Sequence, residues 1–455
     1  MTIPTHASST IADPFADVDL TERDLAEFDL LNLDAETLVN PYPFFKAMRE
    51  REPVFREPHY GVYLVSRHED IVSVARRPEV FSSLLHAMGP LAKLPERAEG
   101  ESVSDQIRKY TEQVGQPSLV NMDPPQHRPY RLLVNKLFSP KRIEGIEQYI
   151  ERLADGLIDE FVDQREVEFI DAFAGPIPFL VVADLLGVPR EDHDEFKRQL
   201  RGEEFSLGNP SAKHVATRVR VREQGAQAGG VTTGLMGYIH DYFVRYITER
   251  RGAPKDDLMS QLATATFPDS DEQPTIEQVV ALALVFFGAG QETTVRLFTT
   301  GMQILLERPE IWEELRADRE LIPNFVEECL RFDTPVKGLF RLAREDAEIG
   351  AVRVPAGSHV LMLWGSGNRD AKRFPKNPEE FDLHRDDAYR NMSFGEGIHF
   401  CPGAPLARLE AIIAWKVFFK RIKAVRAADP AEAYSYLPSF IIRGLSHLHL
   451  EIERA

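Results

Sequence analysis

The strongest hydrophobic pattern in the chain lies between Thr275 and Pro309. Thr275 and Gln278 match a capping box, in which two side chains satisfy the first free N–H groups of a helix. Apolar residues then recur at helical spacing to about Leu306. The longest uninterrupted apolar run, residues 279–290, has the length of a buried core helix and is too short to span a bilayer. The pattern therefore predicts one long helix through the core.

Shorter patterns on either side of this helix alternate between helical and strand periodicity. Helices are predicted near residues 43–48, 68–77, 148–163, 179–186 and 404–420, and just after the helix-start signal at 123–125. Strands are predicted at 54–55 and 62–66, as a hairpin, and at 340–343, 360–364, 440–442 and 447–450, with a turn near 354–357. The predicted fold class is mainly α with a smaller β region.

Three stretches of the chain lack a sustained hydrophobic periodicity. Residues 1–34 are polar and acidic and are predicted to form a loose N-terminal arm, which leaves 35–455 as a single domain. Residues 82–120 form a long loop, placed near a substrate; the alternative is an inert insertion. Residues 202–234 contain several glycines and are predicted to form a mobile connection between two helices.

Charge and cysteine content exclude several classes of function. The formal net charge is −18, so nucleic-acid binding through a basic surface is not expected. Two cysteines far apart in 455 residues make a disulfide framework improbable, and Cys329 fits a buried position in a helix. The N-terminus shows no basic flank followed by an apolar core, so neither signal peptide nor membrane anchor is predicted. We expect a soluble, cytoplasmic protein.

The second cysteine, Cys401, lies in an unusual setting. Two glycines precede it, and Pro402-Gly403 leads into the helix predicted from Ala404. Backbone N–H groups at the start of a helix favour a thiolate over a thiol. A thiolate held by a glycine-lined loop is a suitable axial ligand for haem iron. The alternative is a buried structural cysteine in a glycine-rich loop.

Polar groups elsewhere also suggest chemistry. Gly290 interrupts the long helix and is followed by Glu292 and Thr293, which could relay protons to bound oxygen; the alternative is a glycine-tolerant helix crossing. His127 and Arg131 share one helix face, and so do Glu328 and Arg331. By spacing alone, the first pair fits a solvated basic face and the second an ordinary ion pair.

The cysteine segment resembles a known pattern. Phe394-x-x-Gly397-x-His399-x-Cys401-x-Gly403 is similar to the haem-binding loop of the cytochrome P-450 superfamily, the haem-thiolate monooxygenases. The resemblance implies a triangular single-domain fold with haem b between the oxygen-binding helix and the cysteine-loop helix. It also implies that Cys401 ligates the iron, that Phe394 packs beside the thiolate, and that His399 contacts a haem propionate.

Other motifs extend the resemblance from about Pro41 to the C-terminus. Ala289-Gly290-x-Glu292-Thr293 is similar to the family's oxygen-activation motif, which makes Glu292 and Thr293 the catalytic residues and places Ala289 and Gly290 against haem. The remaining roles implied are propionate binding by His127, Arg131 and Arg341, contact of Gly403 with the cofactor, a buried network of Glu328, Arg331 and Arg385 that braces the cysteine loop, and a lid at 202–234.

The resemblance also implies partners and a reaction. Electrons come from a ferredoxin and its reductase, and O2 supplies one oxygen atom to a C–H bond of an apolar small molecule: a fatty acid, terpenoid, steroid or aromatic compound. A basic docking patch is expected at Arg408, Lys416, Lys420, Arg421 and Lys423, or these residues simply complement the helix dipole. Alternatives are a peroxide-driven peroxygenase and a non-catalytic haem sensor or carrier. A monomer is expected.

The substrate pocket is assigned by position in the chain. Lys337 is expected to point to solvent. The predicted lining is mostly apolar, which favours an apolar substrate, and consists of Met88, Leu91, Val285, Phe286, Leu339, Phe340, Phe440 and Ile441.

Overall fold

The computed structural model describes residues 24–31, 35–115, 118–200, 234–267, 271–429 and 434–455. The predicted lid at 202–234 lies outside the described residues except for Gly234. The helices in the described part are α1 Ala35–Val39, α2 Tyr42–Arg51, α3 His68–Ala75, α4 Val103–Val114, α5 His127–Leu137, α6 Pro140–Phe161, α7 Pro176–Leu185, α8 His193–Leu200, α9 Gly234–Gly252, α10 Leu258–Thr264, α11 Ile276–Glu307, α12 Pro309–Ala317, α13 Ile322–Phe332, α14 Trp364–Gly367 and α15 Ala404–Arg421.

The strands are short and gather mainly into two sheets. They are β1 Val54–Arg56, β2 Tyr63–Val65, β3 Phe81–Ser82, β4 Glu166–Glu168, β5 Leu339–Ala343, β6 Ala347–Ile349, β7 Val352–Val354, β8 His359–Met362, β9 Ile422–Ala427, β10 Ser435–Tyr436, β11 Leu445–His447 and β12 His449–Arg454. The larger sheet has the order β1-β2-β8-β5-β3, with β2 and β8 parallel and its other pairs antiparallel; the smaller has the order β4-β12-β9. The predicted hairpin is confirmed, since Val54 pairs with Val65 and Phe55 with Leu64.

Helix α11 is the long core helix that the hydrophobic pattern predicts. Thr275 Oγ1 accepts a hydrogen bond from the Gln278 amide at 3.2 Å, and Gln278 Oε1 accepts one from the Thr275 amide at 2.7 Å, so the capping box is formed. The helix is long and apolar enough to cross a membrane, but 61% of its most apolar window is buried inside the protein. Its composition therefore fits its place in the core. Further along, Phe298 packs on Trp415 of α15 with ring centroids 5.9 Å apart.

The predicted loop at 82–120 contains helix α4, so that prediction is wrong for Val103–Val114. Ser102 and Asp105 form a second capping box, with Ser102 Oγ accepting from the Asp105 amide at 3.1 Å. Only Val103 and Ile107 of this helix are buried. Val103, Ile107, Tyr110 and Val114 recur at helical spacing, so the apolar pattern and the cap were signals in the sequence that the loop prediction missed.

Two terminal predictions also differ from the structure. Residues 24–31 belong to the predicted loose arm, yet Leu25 and Phe28 are buried, and the Phe28 ring stacks on Phe44 at 4.5 Å. The stretch 440–442 is not a strand but forms a single bridge, between Val336 and Ile442. Its remaining polar backbone groups are satisfied by neighbouring loops, as when Ile441 O accepts from the Lys337 amide at 2.7 Å.

Candidate active site

The Cys401 loop is fixed by its backbone. The Cys401 amide donates to Phe394 O at 2.9 Å, closing the loop on itself. Gly397 has a φ of +73°, and a Cβ at this position would collide with the carbonyl oxygen of Ala75 at the end of α3. Only glycine fits both the conformation and the space. The loop therefore rests directly on the main chain of α3.

The sulfur of Cys401 lies at the start of α15, as predicted. A Cβ on Gly403 would be 3.8 Å from Sγ, and the Gly403 and Ala404 amides hydrogen-bond to the sulfur. Burial raises the pKa of the Cys401 thiol, while those amides and the Arg131 guanidinium oppose the rise. The helix start therefore acts on the pKa in the predicted direction, while burial acts against it with the larger effect.

Phe394 lies on the same side of the loop as the first turns of α15. The Arg408 guanidinium stacks over the Phe394 ring at 4.4 Å and forms an ion pair with Glu327. Arg408 also opposes the rise in the pKa of Cys401. Arg408 thus links Phe394 and Glu327 to the surroundings of Cys401.

A cluster of basic side chains faces the same region. The rings of His127 and His399 are 4.4 Å apart, and both Nε2 atoms are buried without a hydrogen-bond partner among the described residues. Burial, with help from Arg131, lowers the pKa of His127 to about 4. Burial, then Arg341 and His127, lowers the pKa of His399 to about 2. In the part of the chain described, neither arginine forms an ion pair with a carboxylate.

Such an arrangement is incomplete on its own. Buried polar atoms are nearly always hydrogen-bonded, and each orphan in a native protein requires an explanation. Two unpartnered imidazole nitrogens beside two unpaired guanidinium groups fit an anionic acceptor, such as a pair of carboxylates. The cluster therefore has donors for an anionic ligand next to Cys401, and such a ligand would satisfy its unpartnered nitrogens.

Helix α11 presents an open face in its middle. Ala289 is exposed and Gly290 half-buried, although most of the helix around them lies in the core. Thr293 Oγ1 donates to Ala289 O at 2.8 Å. The Glu292 carboxylate is buried and lies 4.0 Å from the Arg296 guanidinium. The predicted acid and alcohol are therefore neighbours, with the hydroxyl on the open face and the acid beside a buried cation.

The predicted pocket residues fall into two apolar groups. Leu91, Leu339, Phe340, Phe440 and Ile441 belong to one cluster, in which the rings of Phe340 and Phe440 are 5.7 Å apart. Separately, Phe286 packs against Phe138 in the main core at 5.4 Å, and the two remaining predicted lining residues, Met88 and Val285, are half-buried.

Behind the loop, Glu328, Arg331 and Arg385 form the buried network implied by the sequence. Arg331 donates to both oxygens of Glu328 at 2.7 Å, and Arg385 Nε donates to Glu328 Oε1 at 3.1 Å. Arg331 also donates to Asn368 O at 3.0 Å, while Asn368 Oδ1 accepts from the Met392 amide at 2.7 Å. Because Met392 lies two residues before Phe394, the network reaches the start of the cysteine loop.

The family model described as Cytochrome P450 matches residues 62–421. This protein belongs to the cytochrome P-450 family. It is a monooxygenase, and like other members it binds haem through an axial cysteine thiolate. Iron in this P-450 is therefore held by a cysteine of the chain.

Several bacterial P-450 enzymes are similar to this chain. Cytochrome P-450 144 of Mycobacterium tuberculosis is 33% identical over 421 residues, which cover 92% of this chain and 90% of the relative. The 6-deoxyerythronolide B hydroxylase of Saccharopolyspora erythraea is 35% identical over 331 residues, covering 73% and 77%.

Solved structures show the same fold. A substrate-free P-450 of Mycobacterium marinum superposes with a TM-score of 0.82 at 36% identity, covering 95% of this chain and 100% of that one. A P-450 of Bacillus megaterium in complex with testosterone gives a TM-score of 0.72 at 30% identity, covering 90% and 99%. The predicted P-450 fold is thus confirmed.

The structure contradicts the prediction that the Lys337 side chain points to solvent. Its side chain is buried, and Nζ donates to Ser439 O at 2.8 Å. Burial, followed by the Arg443 cation, lowers the pKa of Lys337 to about 7. The residue ties strand β5 of this P-450 to the 439–441 stretch and does not point to solvent. Its apolar neighbours Val336, Leu339 and Phe340 were a signal that the segment is buried, which the prediction for the lysine did not use.

The predicted basic patch on α15 is partly neutralised. Arg408 pairs with Glu327, Arg421 with Asp155 and Asp159, and Lys423 with Glu453. Lys416 and Lys420 form no ion pair within the described ranges. The net positive surface of the P-450 at this helix is therefore smaller than the sequence implies.

Proposed function

We propose that Cys401 supplies the axial thiolate of haem b in a monooxygenase that hydroxylates an apolar small molecule with electrons from a ferredoxin. The observation that carries the assignment is that Arg131 acts on the Cys401 thiol and also on His127 and His399, whose Nε2 atoms are buried and unpartnered. The other cysteine, Cys329, is enclosed in α13, where burial raises its thiol pKa well above the ordinary value. Of the two sulfurs, Cys401 belongs to the residue that is only half-buried.

In this proposal the basic cluster holds the haem carboxylates. His127, Arg131, His399 and Arg341 donate to them, which satisfies the orphaned nitrogens of both imidazoles. Phe394 and Gly403 line the sulfur side, and Ala289 and Gly290 leave the space on the opposite side. The network of Glu328, Arg331 and Arg385 holds the loop and has no contact with the reacting atoms.

Haem supplies the chemistry that activates O2, and the protein supplies ligation, orientation and proton delivery. Thr293 presents its Oγ1 on the open face of α11, where it can donate and accept a proton. Glu292, one residue before it, supplies protons from a buried position next to Arg296. This acid–alcohol pair argues for monooxygenation by O2 over a peroxide-driven reaction or a non-catalytic haem carrier.

The thiolate assignment is tested by the spectrum of the reduced protein with carbon monoxide. Cys401→Ser should abolish the strongly red-shifted Soret band, whereas Cys329→Ser is the matched control and should keep it. If the band persists in Cys401→Ser, or disappears in both variants, the ligand assignment is wrong.

The proposed substrate is apolar because the candidate lining is apolar. Fatty acids, terpenoids, steroids and aromatic compounds all fit this description. A panel containing palmitic acid, testosterone, a monoterpene and a small aromatic compound should be screened for the spin-state shift that follows displacement of water from the iron. A response to charged, polar compounds alone would contradict the apolar assignment.

Proton delivery is tested with the compound that gives the largest shift. Thr293→Ala should lower the product formed per NADPH consumed and raise hydrogen peroxide release, while Thr293→Ser, which keeps the hydroxyl, should stay near wild type. If wild type, Thr293→Ala and Thr293→Ser form the same amount of product per NADPH consumed, Thr293 is not part of the proposed proton relay.

The proposed electron donor is an acidic ferredoxin served by a reductase. Lys416 and Lys420 provide the unpaired charge on α15 that would attract it. Lys420→Glu should slow reduction by the ferredoxin and weaken its salt dependence, whereas Lys93→Glu, at an exposed site elsewhere, should not. We also propose a cytoplasmic monomer, consistent with two free thiols; light scattering and cell fractionation test these two points.

A further inference from the structure

One histidine in the predicted loop, His86, is not explained by the sequence motifs. Its carbonyl oxygen accepts a hydrogen bond from the Phe340 amide at 2.8 Å, so His86 lies beside strand β5, where Arg341 is the next residue. The imidazole Nδ1 is hydrogen-bonded to Asn121 Oδ1. Asn121 Nδ2 donates in turn to Ser118 Oγ at 3.3 Å, which supports the orientation of the amide.

The segment that carries His86 is anchored without its side chain. The Asp123 carboxylate accepts from the Ser83 amide at 2.7 Å and from Arg344 at 2.6 Å, and it also binds the Ser82 hydroxyl. These bonds join the stretches before and after α4 to the end of β5. The position of the loop therefore does not depend on the His86 ring alone.

His86 is electrostatically part of the basic cluster. Burial lowers its pKa to about 4, and the Arg341 cation acts in the same direction. His86 in turn contributes to the low pKa of His399, together with Arg341, His127 and Arg131. A third imidazole near two guanidinium groups adds a further potential donor to the anion that those two cations would attract.

We propose that His86 is an additional haem-anchoring residue, donating from Nε2 to a haem carboxylate while Asn121 holds Nδ1. The inference rests on the proposed haem site at Cys401. With Nδ1–H directed to Asn121 Oδ1, the neutral ring has a lone pair at Nε2. Beside a carboxylate the ring takes up a proton, and Nε2–H becomes a charge-assisted donor. Asn121 is then a positioning residue that sets the orientation of the ring.

The test measures how firmly the ferric protein holds haem. His86→Leu should transfer haem to excess apomyoglobin about tenfold faster than wild type, the scale of one lost charge-assisted hydrogen bond. Its midpoint potential should fall, because a positive charge near the cofactor is lost. His86→Gln keeps a donor and should recover part of the retention. Asn121→Ala keeps the imidazole but frees it and should give an intermediate rate.

His447→Leu is the matched control, since His447 is exposed on β11. The inference would be overturned if His86→Leu and Asn121→Ala both transferred haem at rates within twofold of this control and both had the same midpoint potential as the control. Should His86→Leu fail to fold, His86→Gln and Asn121→Ala decide alone: transfer as slow as wild type in both contradicts the role. Wild-type protein without a thiolate–haem spectrum would refute the proposed function instead, so the two failures are distinguishable.

Discussion

The Arg331 guanidinium and the Glu328 carboxylate, both completely buried, share two hydrogen bonds of 2.7 Å. Arg385 adds a second cation to the same carboxylate, so two positive charges depend on one negative charge. The excess is stabilised by main-chain carbonyls, among them Pro378 O at 2.7 Å from Arg331 and Lys376 O at 2.6 Å from Arg385. The network thus holds the 368–385 segment by its backbone.

Glu328→Gln should destabilise the protein strongly, because both arginines would lose their buried counter-charge. Removing one partner of such a pair costs about 3–5 kcal/mol. We expect a matching decrease in the free energy of unfolding in urea and reduced haem content. Asp346→Asn removes the partner of the exposed Arg353 and is the control, with a much smaller loss expected because exposed ion pairs contribute little to stability. Similar losses in the two variants would show that the buried network is not structural.

Two glycines in helices should respond oppositely to alanine. A Cβ at Gly301 of α11 would lie 2.9 Å from Trp415 Cζ2, whereas one at Gly156 of α6 would meet no atom within 4 Å. Gly301→Ala should lower the free energy of unfolding by about 1–3 kcal/mol through overpacking. Gly156→Ala should raise it by up to about 1 kcal/mol through helix propensity. Stabilisation by both substitutions would refute the tight contact between α11 and α15.

Glu410 makes the stability of the protein depend on pH. It is buried in α15, and burial raises its pKa to about 8 from the ordinary 4.5. The folded protein holds this proton where the unfolded chain has released it, so stability falls as pH rises from about 4.5 to 8. Glu410→Gln lacks the titration. In urea titrations the variant should gain stability relative to wild type between pH 5 and pH 8, by roughly 1–4 kcal/mol. A constant difference across these pH values would rule out the buried acid.

Lys337 should make stability rise with pH at higher pH, which is opposite to the effect of Glu410. Burial lowers its pKa to about 7 from 10.5, so the unfolded chain binds a proton that the folded protein lacks above neutrality. Stability from this group therefore rises with pH between about 7 and 10.5. Lys337→Met removes the slope, and its stability relative to wild type should decrease from pH 7 to pH 9. If the relative stability is unchanged over this interval, the amine is not buried as described.

The sequence predicts well what is encoded within a few residues. Thr275 and Gln278 fix the start of α11, and Gly397 and Gly403 mark the loop around Cys401, because backbone conformation and capping are local properties. Contacts between residues that are far apart in the sequence could not be predicted. His86 meets Arg341 only because β5 runs beside the segment before α4. Phe28 reaches Phe44 in the same way. No local pattern records such encounters.

The contact between Gly397 and Ala75 has a consequence for how the active site tolerates change. Here main chain touches main chain, with no side chain between them. Substitutions in the surrounding core alter side-chain volumes but leave this spacing intact. The spacing between the cysteine loop and α3 is therefore set by backbone van der Waals contact and not by the fit of side chains. Evolution can reshape the substrate side of this enzyme while the position of its cysteine ligand stays constant.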